Sequence, residues 1–370
     1  MKIIKVTSAD VKRFVDFPDK LYHGDPNYVP YMRADLRRTL KKLLFDEATY
    51  TALLAENERG EVVGRVLFTI DRDKQLQTER CGFFSMYECI DDLEVSRALL
   101  GEMRRILQEQ SAEYISGTYF PYDQDNRRGI MVKGFERPPL IFTSYNPPYY
   151  EAQMLDAGFA KLIDTYEFAI TPDDAAMRRF KKLSDYAMRR YDFHVDTADF
   201  QNIDRDIDDV CAVMQAATNE INYQEAPRRE VLARMLTEWK RFIDPDFILI
   251  ARSNADNTPL GFGVALPDYF HVFRKMRGRL DLVSLVVLAI ERNNIHSLRN
   301  ILQYVVPEWQ GKGILPAIYI RMYYAAKKHE MDYIEAGTVI ENNQASIAPL
   351  EASGGKIARI YRIYYQKLEG

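Results

Sequence analysis

The feature that most constrains the fold is an internal repeat that runs through the chain. A hairpin pattern in the first half carries Gly64 in its second strand, and a similar hairpin in the second half carries Gly261. Gly158 follows a helical segment and precedes an apolar strand, and Gly354 does the same later in the chain. The two glycine pairs are separated by nearly the same number of residues. Because landmarks repeated at a constant spacing are typical of duplicated units, two copies of one domain are predicted.

Each half shows the same order of predicted elements: a strand, helices, a hairpin, a longer strand, a helix, a strand, a helix and a closing strand pair. In the first half these include the hairpin 50–55 with 62–70, the strand 81–89, the helix 95–110 and the strand 114–120. The corresponding segments of the second half are 247–251, 260–266, 301–306, 315–329 and 333–339. Alternating strands and helices beside hairpins indicate an α/β fold, with a twisted mixed β-sheet flanked by helices in each domain.

Charge and composition exclude several classes of protein. The net charge of −4 gives no general attraction for nucleic acid or for an anionic membrane surface. The longest apolar candidate, residues 280–290, carries Asp281 and is shorter than the roughly 18 residues of a membrane span. The cysteines, Cys81, Cys89 and Cys211, match neither a disulfide framework nor a zinc motif, so no metal is expected. The start of the chain is too soon polar for a signal peptide, and a reducing, cytoplasmic setting is predicted.

A strand-to-helix turn in the second half indicates a chemistry. An apolar run ends at Val306, a helical pattern begins at Leu315, and Gly311 and Gly313 lie between them. Glycines let the backbone approach an anion closely, and the N–H groups at a helix N-terminus can hold a phosphate. Lys312 adds positive charge. The pattern predicts a phosphate-binding turn, and a glycine-rich turn without a ligand is the alternative that spacing alone leaves open.

This turn resembles the acyl-coenzyme-A signature of the GNAT acyltransferase superfamily, Q/R-x-x-G-x-G/A at the start of a helix. Gln310 fills the first position and Gly313 the fourth, and residues 341–344 resemble the second cofactor motif of that family. The resemblance implies acetyl-CoA or another acyl-CoA as cofactor, with its pyrophosphate on the turn and its pantetheine arm on the preceding strand. The implied cofactor-binding residues are Tyr304, Val305, Val306, Gln310, Gly311, Lys312, Gly313, Ile314, Leu315 and Asn343.

The whole chain resembles tandem-GNAT proteins of the bacterial type, a subgroup that segments 14–30 and 145–150 also fit. The first half lacks the cofactor signature, because its equivalent turn, residues 87–94, has no glycine and carries four carboxylates. These carboxylates would repel a pyrophosphate. The predicted domains are a degenerate GNAT-like domain over 1–170, a linker helix over 171–191 and an acyl-CoA-binding GNAT-like domain over 192–370.

Acyl transfer to an amine needs a base, and three residues are candidates for the chemistry. Glu335 lies in the strand after the cofactor helix, Glu341 lies at the end of that strand, and Tyr364 is a candidate proton donor in the last strand. An ordinary structural role is the alternative for each. Two positions depart from the family pattern. Leu315 stands where the family has a small residue, and Leu350 stands where a tyrosine often serves as general acid.

A rigid aromatic segment is a candidate for the acceptor pocket. Asn146, Tyr149 and Tyr150 flank a pair of prolines. They are predicted to line a pocket for a small-molecule acceptor at the junction of the halves. A proline-fixed turn that enters a helix is the structural alternative.

Together these features predict an acyl-CoA-dependent N-acyltransferase, with acetyl as the expected group, that acts on a small-molecule amine. Two alternatives stay open. One is an aminoacyl-tRNA-dependent transferase, since some tandem-GNAT proteins take an amino acid from charged tRNA. The other is a catalytically degenerate acyl-CoA-binding or sensor protein. The first alternative needs a broad positive surface, which the net charge does not favour, so no nucleic-acid or membrane partner is expected.

Overall fold

The computed structural model describes residues 1–70, 80–119, 128–171, 174–218, 228–240, 242–279 and 281–368. The chain divides into two compact units. Unit 1 consists of residues 1–165, 270–293 and 359–370. Unit 2 consists of residues 166–269 and 294–358. Each unit is therefore assembled from separate stretches of the chain.

Strands occupy the positions that the apolar runs predict, with small differences at their ends. The strands of the described residues are β1 Lys2–Lys5, β2 Tyr50–Glu56, β3 Val62–Ile70, β4 Cys81–Cys89, β5 Tyr114–Gly117, β6 Ile130–Lys133, β7 Ala160–Ile170, β8 Phe193–Thr197, β9 Ile248–Ser253, β10 Pro259–Pro267, β11 Ser297–Val305, β12 Tyr333–Ile340 and β13 Lys356–Lys367. The short strand β6 has no counterpart among the predicted elements, because four residues are too few to show a period.

Helices lie between these strands in both halves. They are α1 Val11–Leu21, α2 Arg33–Lys41, α3 Leu93–Glu109, α4 Tyr150–Asp156, α5 Asp174–Tyr191, α6 Ile203–Thr218, α7 Arg229–Trp239, α8 Phe270–Met276, α9 Leu282–Glu291, α10 Ile314–Lys328 and α11 Gln344–Ala352. None of the helices in the described residues is both long enough and apolar enough to cross a bilayer.

The strands of unit 1 lie in the order β1-β2-β3-β4-β5-β13, and β6 pairs with β13. Strands β1 to β4 pair antiparallel, whereas β4 and β5 run parallel. Successive side chains of a strand point to opposite faces. In β3, Phe68 belongs to a core with Leu99 of α3, and Leu67 belongs to a second core with Phe14 of α1 and Leu40 of α2. The sheet is therefore covered by helices on both faces.

Unit 2 repeats this arrangement with the order β12-β11-β10-β9-β8. Strands β8 to β11 pair antiparallel, and β11 pairs parallel with β12. Helix α10 packs on β9 and β10 in the way that α3 packs on β2 and β3. The common strand order confirms the predicted α/β fold class with two similar mixed sheets.

The closing strands of the two halves are exchanged between the units. Strand β13 ends the chain, yet residues 359–370 belong to unit 1, where Tyr364 lies opposite Gly117 of β5. Strand β7 neighbours β12, and its residues from Tyr166 onward belong to unit 2. The domain boundaries predicted from the repeat, after residues 170 and 191, follow the order of the sequence. They stay a prediction.

Candidate functional site

Two glycines in left-handed conformations build the turn before α10. Gly311 has φ = 75° and Gly313 has φ = 85°, a region in which L side chains are strained. Gly313 is the N-cap residue of α10 and has no side chain that can cap the helix. The first N–H groups of a helix, here those of Ile314 and Leu315, have no partner within the helix. Together with the helix dipole they favour an anion at this end of α10.

Lys312 is held beside the turn by an aromatic ring. Its Nζ lies 4.7 Å from the centre of the Trp309 ring, and Trp309 in turn packs edge-on against Phe193. A cation over an aromatic face is attracted by the ring quadrupole. The side chain is half-buried, so its charge is fixed next to the helix N-terminus. Gln310 is exposed at the start of the turn.

Strand β11, which leads into the turn, separates from β12 before either strand ends. Ile301 is an extra residue in β11 at a β-bulge against β10. The parallel ladder with β12 ends at the pair Asn300–Ala336, although β11 continues to Val305 and β12 to Ile340. A bulge bends and twists its strand, which accounts for the divergence. Beyond Asn300, β11 and β12 no longer pair with each other.

Polar side chains that no motif marks lie where the ladder ends. The Tyr319 hydroxyl, on α10, donates to Gln303 Oε1 at 2.7 Å. The side-chain amide of Asn300 lies 2.9 Å from the same oxygen. Burial raises the pKa of Tyr319, so its phenol is neutral at ordinary pH. Single polar residues in apolar runs are common, so the sequence does not mark these three. Only the fold shows that Asn300, Gln303 and Tyr319 are in contact.

Glu335 lies in a buried group of charged residues at the same place. Glu335 and Arg299 are opposite each other in the ladder, and both side chains are fully buried. Arg299 Nε donates to Glu167 Oε1 at 2.9 Å, and its guanidinium also reaches Gly337 O at 3.2 Å. Glu335 Oε1 accepts a hydrogen bond from the Tyr333 hydroxyl at 2.6 Å. Glu335 is therefore one residue from the point where the two strands part.

The other residues predicted for catalysis and cofactor binding have different surroundings. Glu341 is half-buried directly after β12. Tyr364 belongs to unit 1, and burial together with the charge of Glu151 raises its pKa. Asn343 is the N-cap of α11, where its side chain accepts from the Ser346 N–H at 3.2 Å. Their functional roles stay predictions, and for Asn343 the capping role is observed.

Gly313 has a second role that spacing does not reveal. A Cβ at residue 313 would lie 2.5 Å from the Cβ of Ala187 in α5, so the absence of a side chain lets α5 approach the turn. A Cβ at Gly311 would meet nothing within 4 Å. Gly313 is thus required by both backbone conformation and packing, whereas Gly311 is required by conformation alone.

Replacing Gly313 with Ala should destabilise the protein by about 2–5 kcal/mol. A left-handed non-glycine residue costs roughly 1–2 kcal/mol, and overpacking adds about 1–3 kcal/mol. The Ala187→Gly change should remove the overpacking in the double variant, so the two effects should not be additive in urea unfolding. Strict additivity of the two single changes would contradict this account of the packing.

The equivalent turn of the first half is capped by its own carboxylate. Asp92 Oδ1 accepts from the N–H groups of Glu94 at 2.8 Å and Val95 at 3.3 Å, so Asp92 is the N-cap of α3. The carboxylate therefore occupies the position that an anion would take at the start of α3. That the first half holds no coenzyme A stays a prediction, and this contrast with α10 supports it.

Unit 1 contains a cavity of about 70 Å³ whose lining combines tyrosines with a buried acid. Glu88 Oε2 accepts from the hydroxyls of Tyr22 at 2.6 Å and Tyr150 at 2.8 Å. Burial raises the pKa of Glu88, and the Arg65 guanidinium, 3.5 Å from its other oxygen, opposes that shift. Arg65 and Glu88 face each other across β3 and β4. A charged residue inside each of two apolar runs is therefore the feature of the sequence that could have indicated this buried pair.

Two of the three predicted acceptor residues line this cavity. They are Asn146 and Tyr150. Asn146 is held by Met131, whose N–H donates to Asn146 Oδ1 at 2.7 Å. The Tyr149 hydroxyl instead donates to Cys89 O at 2.9 Å. The proline-fixed segment therefore closes the end of β4, and its role toward an acceptor stays a prediction.

One group of possible metal ligands occurs among the described residues. Oxygens of Asp244 and Asp246 and a nitrogen of His329 lie within 4.8 Å of one another. Lys328, at 2.5 Å, and His329, at 2.9 Å, lower the pKa of Asp246 by hydrogen bonding to its carboxylate. Since these partners already balance its charge, we assign no metal to the group.

No protein-family model matches the chain. Two curated proteins are similar over nearly the whole length. Protein YghO of Escherichia coli is 26% identical over 372 residues, which cover 97% of this chain and 93% of that protein. A bacterial ceramide synthase of Caulobacter vibrioides is 25% identical over 380 residues, which cover 98% of this chain and 96% of that protein.

Solved structures match the fold. A tandem GNAT protein from the clavulanic acid biosynthesis pathway superposes with a TM-score of 0.56 at 12% identity, over 100% of this chain and 99% of that one. A GCN5-related N-acetyltransferase from Sphaerobacter thermophilus gives 0.53 at 11% identity, over 100% and 96%. A glucosamine N-acetyltransferase region in a fungal multi-domain enzyme gives 0.58 at 13% identity, over 99% of this chain and 38% of that one. The chain therefore shares the fold of these solved structures, one of which is a tandem GNAT protein.

Proposed function

We propose that this protein is an acyl-CoA-dependent N-acyltransferase that acts on a small-molecule amine. The observation that carries the proposal is the uncapped N-terminus of α10, opened by two left-handed glycines directly after a strand that has parted from its neighbour. Within residues 310–315, the N–H groups of Gln310 and Lys312 donate to carbonyl oxygens of the turn, so those of Gly311, Gly313, Ile314 and Leu315 would hold the pyrophosphate. The edge of β11 and the backbone of residues 304–306 would hold the extended pantetheine arm.

Several features of the turn fit acetyl-CoA or another acyl-CoA. The space around Gly311 is open, since a Cβ there would have no neighbour within 4 Å. Lys312 supplies a fixed positive charge next to the N–H groups. Leu315 is half-buried in the first turn of α10 and still offers its backbone N–H, although its side chain is larger than the family pattern has.

When bound, acyl-CoA supplies an acyl thioester that is activated for transfer. The nitrogen of the amine attacks the acyl carbon, a C–N bond forms, the C–S bond breaks and the nitrogen loses a proton. We assign that proton to Glu335, directly or through a water, because Glu335 lies beside the point where β11 and β12 part. Glu341 is the second candidate base. Leu350 is fully buried and carries no acidic group, so solvent would protonate the leaving thiolate.

The relatives support an amine as the acceptor. A ceramide is the amide of a fatty acid and a long-chain amino alcohol, so the name of the Caulobacter relative denotes formation of an N-acyl bond. From a relative at 25% identity we infer only the type of bond formed, an N-acyl bond. The acceptor and the length of the acyl group have to be found by experiment. No disulfide joins the three cysteines, which are all buried, and this is consistent with the cytoplasmic setting that we propose.

Titration calorimetry with acetyl-CoA and with palmitoyl-CoA tests this function. We expect at least one of them to bind with micromolar affinity, and the thiol released in the presence of a panel of primary amines to follow the amount of N-acyl product. The absence of heat with both ligands up to millimolar concentration would contradict the proposal. Binding without transfer to any amine would favour the sensor protein instead.

The Glu335→Gln variant should transfer acyl groups about 10²–10⁴-fold more slowly, the usual contribution of a general base. Its affinity for acyl-CoA should be unchanged, since the carboxylate is not among the groups proposed to hold the cofactor. The Glu341→Gln variant is the matched control and should keep most of the rate. Thermal unfolding of both variants separates a chemical effect from loss of the fold. A Glu335→Gln protein that is folded and fully active would remove Glu335 from the mechanism.

A further inference from the structure

Helix α9 exposes an unusually large apolar surface. Exposed fractions are 82% for Leu282, 71% for Val283, 52% for Leu285, 58% for Val286 and 60% for Ile290. The helix has 10 residues, of which all but one serine and the final glutamate are apolar. A helix that is apolar on all sides is normally buried, and contiguous exposed apolar patches on proteins usually mark an interaction site.

The polar groups of α9 are turned toward the protein. Ser284 is buried, and its hydroxyl and its N–H both bond to Asp281 Oδ1 at 2.9 Å. Glu291 forms ion pairs with Lys275 at 2.7 Å and with His271 at 3.5 Å. The two acids at the ends of the helix are therefore engaged locally, and the outer surface of α9 carries no polar side chain before Glu291.

Basic residues precede and follow this apolar helix closely in the sequence. Helix α8 packs against α9 and carries Arg274 and Lys275, and exposed arginines follow each helix. These arginines are Arg277, Arg279 and Arg292. Within residues 270–294, apart from position 280, which the structure does not describe, the basic side chains thus outnumber the two engaged acids. The patch combines an exposed apolar helix with a cationic border.

We propose that α9 docks the protein on the surface of an anionic phospholipid bilayer. Its apolar side chains would lie among the outer acyl carbons, and the bordering arginines would meet the phosphate headgroups. At about 1.5 Å per residue, α9 is roughly 15 Å long, half the thickness of a hydrocarbon core of about 30 Å. The helix therefore lies in the interface plane and does not span the membrane.

A second copy of the chain is a poorer occupant of the patch. In a two-fold dimer the same surface meets itself, so the arginines bordering α9 would face like charges. Protein interfaces also form about one hydrogen bond per 100–200 Å², and the outer face of α9 offers apolar side chains only. A bilayer surface supplies both the negative charge and the apolar layer that this patch matches.

Flotation of the full-length protein with vesicles tests this inference without reference to acyl-CoA. We expect it to bind vesicles of phosphatidylcholine with 30 mol% phosphatidylglycerol, and to bind pure phosphatidylcholine much more weakly. The Leu282→Glu/Val286→Glu variant should bind at least tenfold more weakly. For the Arg277→Gln/Arg279→Gln variant, the affinity for anionic vesicles should fall roughly fivefold for each charge removed. This difference should be smaller at high salt.

The matched control places two glutamates elsewhere in unit 1. Leu155 and Leu162 are also exposed, at 54% and 45%, and lie outside the patch. The Leu155→Glu/Leu162→Glu variant should bind vesicles as the unmodified protein does. The inference is overturned if the unmodified protein ignores anionic vesicles, or if both glutamate variants bind equally. It is also overturned if light scattering shows a dimer that only the α9 variant dissociates. The proposed enzyme function can fail in calorimetry while every one of these results stands.

Discussion

Replacing Gly311 with Asp should lower the affinity for acyl-CoA by at least about a hundredfold. Two unit charges 4 Å apart repel by about 4 kcal/mol at an effective dielectric constant of 20, and each 1.4 kcal/mol is a factor of ten in affinity. The carboxylate would stand where the pyrophosphate is proposed to lie. The fold should survive, because aspartate tolerates a left-handed backbone better than most residues and the space around Gly311 is open.

The matched control is Gly60→Asp in the hairpin between β2 and β3. Gly60 has φ = 74°, close to the 75° of Gly311, and a Cβ there would also meet nothing within 4 Å. Both variants should therefore lose a similar, small amount of stability in urea unfolding. Only Gly311→Asp should lose acyl-CoA binding in calorimetry. If both variants bind as the unmodified protein does, the cofactor is held elsewhere.

The Arg299→Leu variant should lose about 3–5 kcal/mol of unfolding free energy, the usual effect of removing one partner of a buried ion pair. Glu167 would then be left charged and fully buried, with the Arg299 Nε donor at 2.9 Å removed. Urea unfolding measures this loss of unfolding free energy, provided that the dependence of that free energy on urea concentration has the same slope in both proteins. The Glu167→Leu/Arg299→Leu double variant should regain part of the stability, because no charge is stranded.

Arg97→Leu serves as the comparison for this change. Arg97 pairs with Asp156 at 2.6 Å on the surface, where water screens the interaction. Its removal should have little effect on stability. An Arg299→Leu protein as stable as Arg97→Leu would show that the buried pair does not hold β11 in place.

Much of the fold follows from local pattern. The strand 81–89 and the strand 62–70 are predicted to the residue, because each apolar run is bounded by polar turns. Asp92, an ordinary N-cap residue by type, lies directly before α3 and caps it. Gly158 and Gly354 end helices with φ = 84° and 88°, which only glycine adopts without strain. These features depend on neighbours in sequence, so sequence alone predicts them.

What sequence could not predict depends on residues far apart in the chain. Nothing in the alternation of β13 shows that it would pair with β5 of unit 1, since a strand pattern does not specify its partner. The group around Arg299 draws on three separate strands. The net charge of −4 is an average over the chain and does not describe the local charge near α9, where Arg277, Arg279 and Arg292 lie.

Only those parts of the candidate site that are contiguous in sequence could be predicted. The glycine turn before α10 is contiguous in sequence, and its resemblance to the GNAT signature follows from a few adjacent residues. The contact of Gly313 with Ala187 joins residues on different helices. Tyr319 and Gln303 likewise meet only once α10 packs on the sheet. No local pattern encodes such contacts, and these residues needed the structure to be recognised.

The most direct test of the proposed cofactor site is hydrogen–deuterium exchange of the full-length protein with and without saturating coenzyme A. Because backbone N–H groups are proposed to hold the pyrophosphate, peptides that cover residues 304–315 should exchange more slowly when coenzyme A is present. Peptides that cover residues 87–95, the equivalent turn of the first half, should not change. Unchanged exchange over 304–315 under conditions in which coenzyme A binds, or protection confined to another part of the chain, would contradict the assignment.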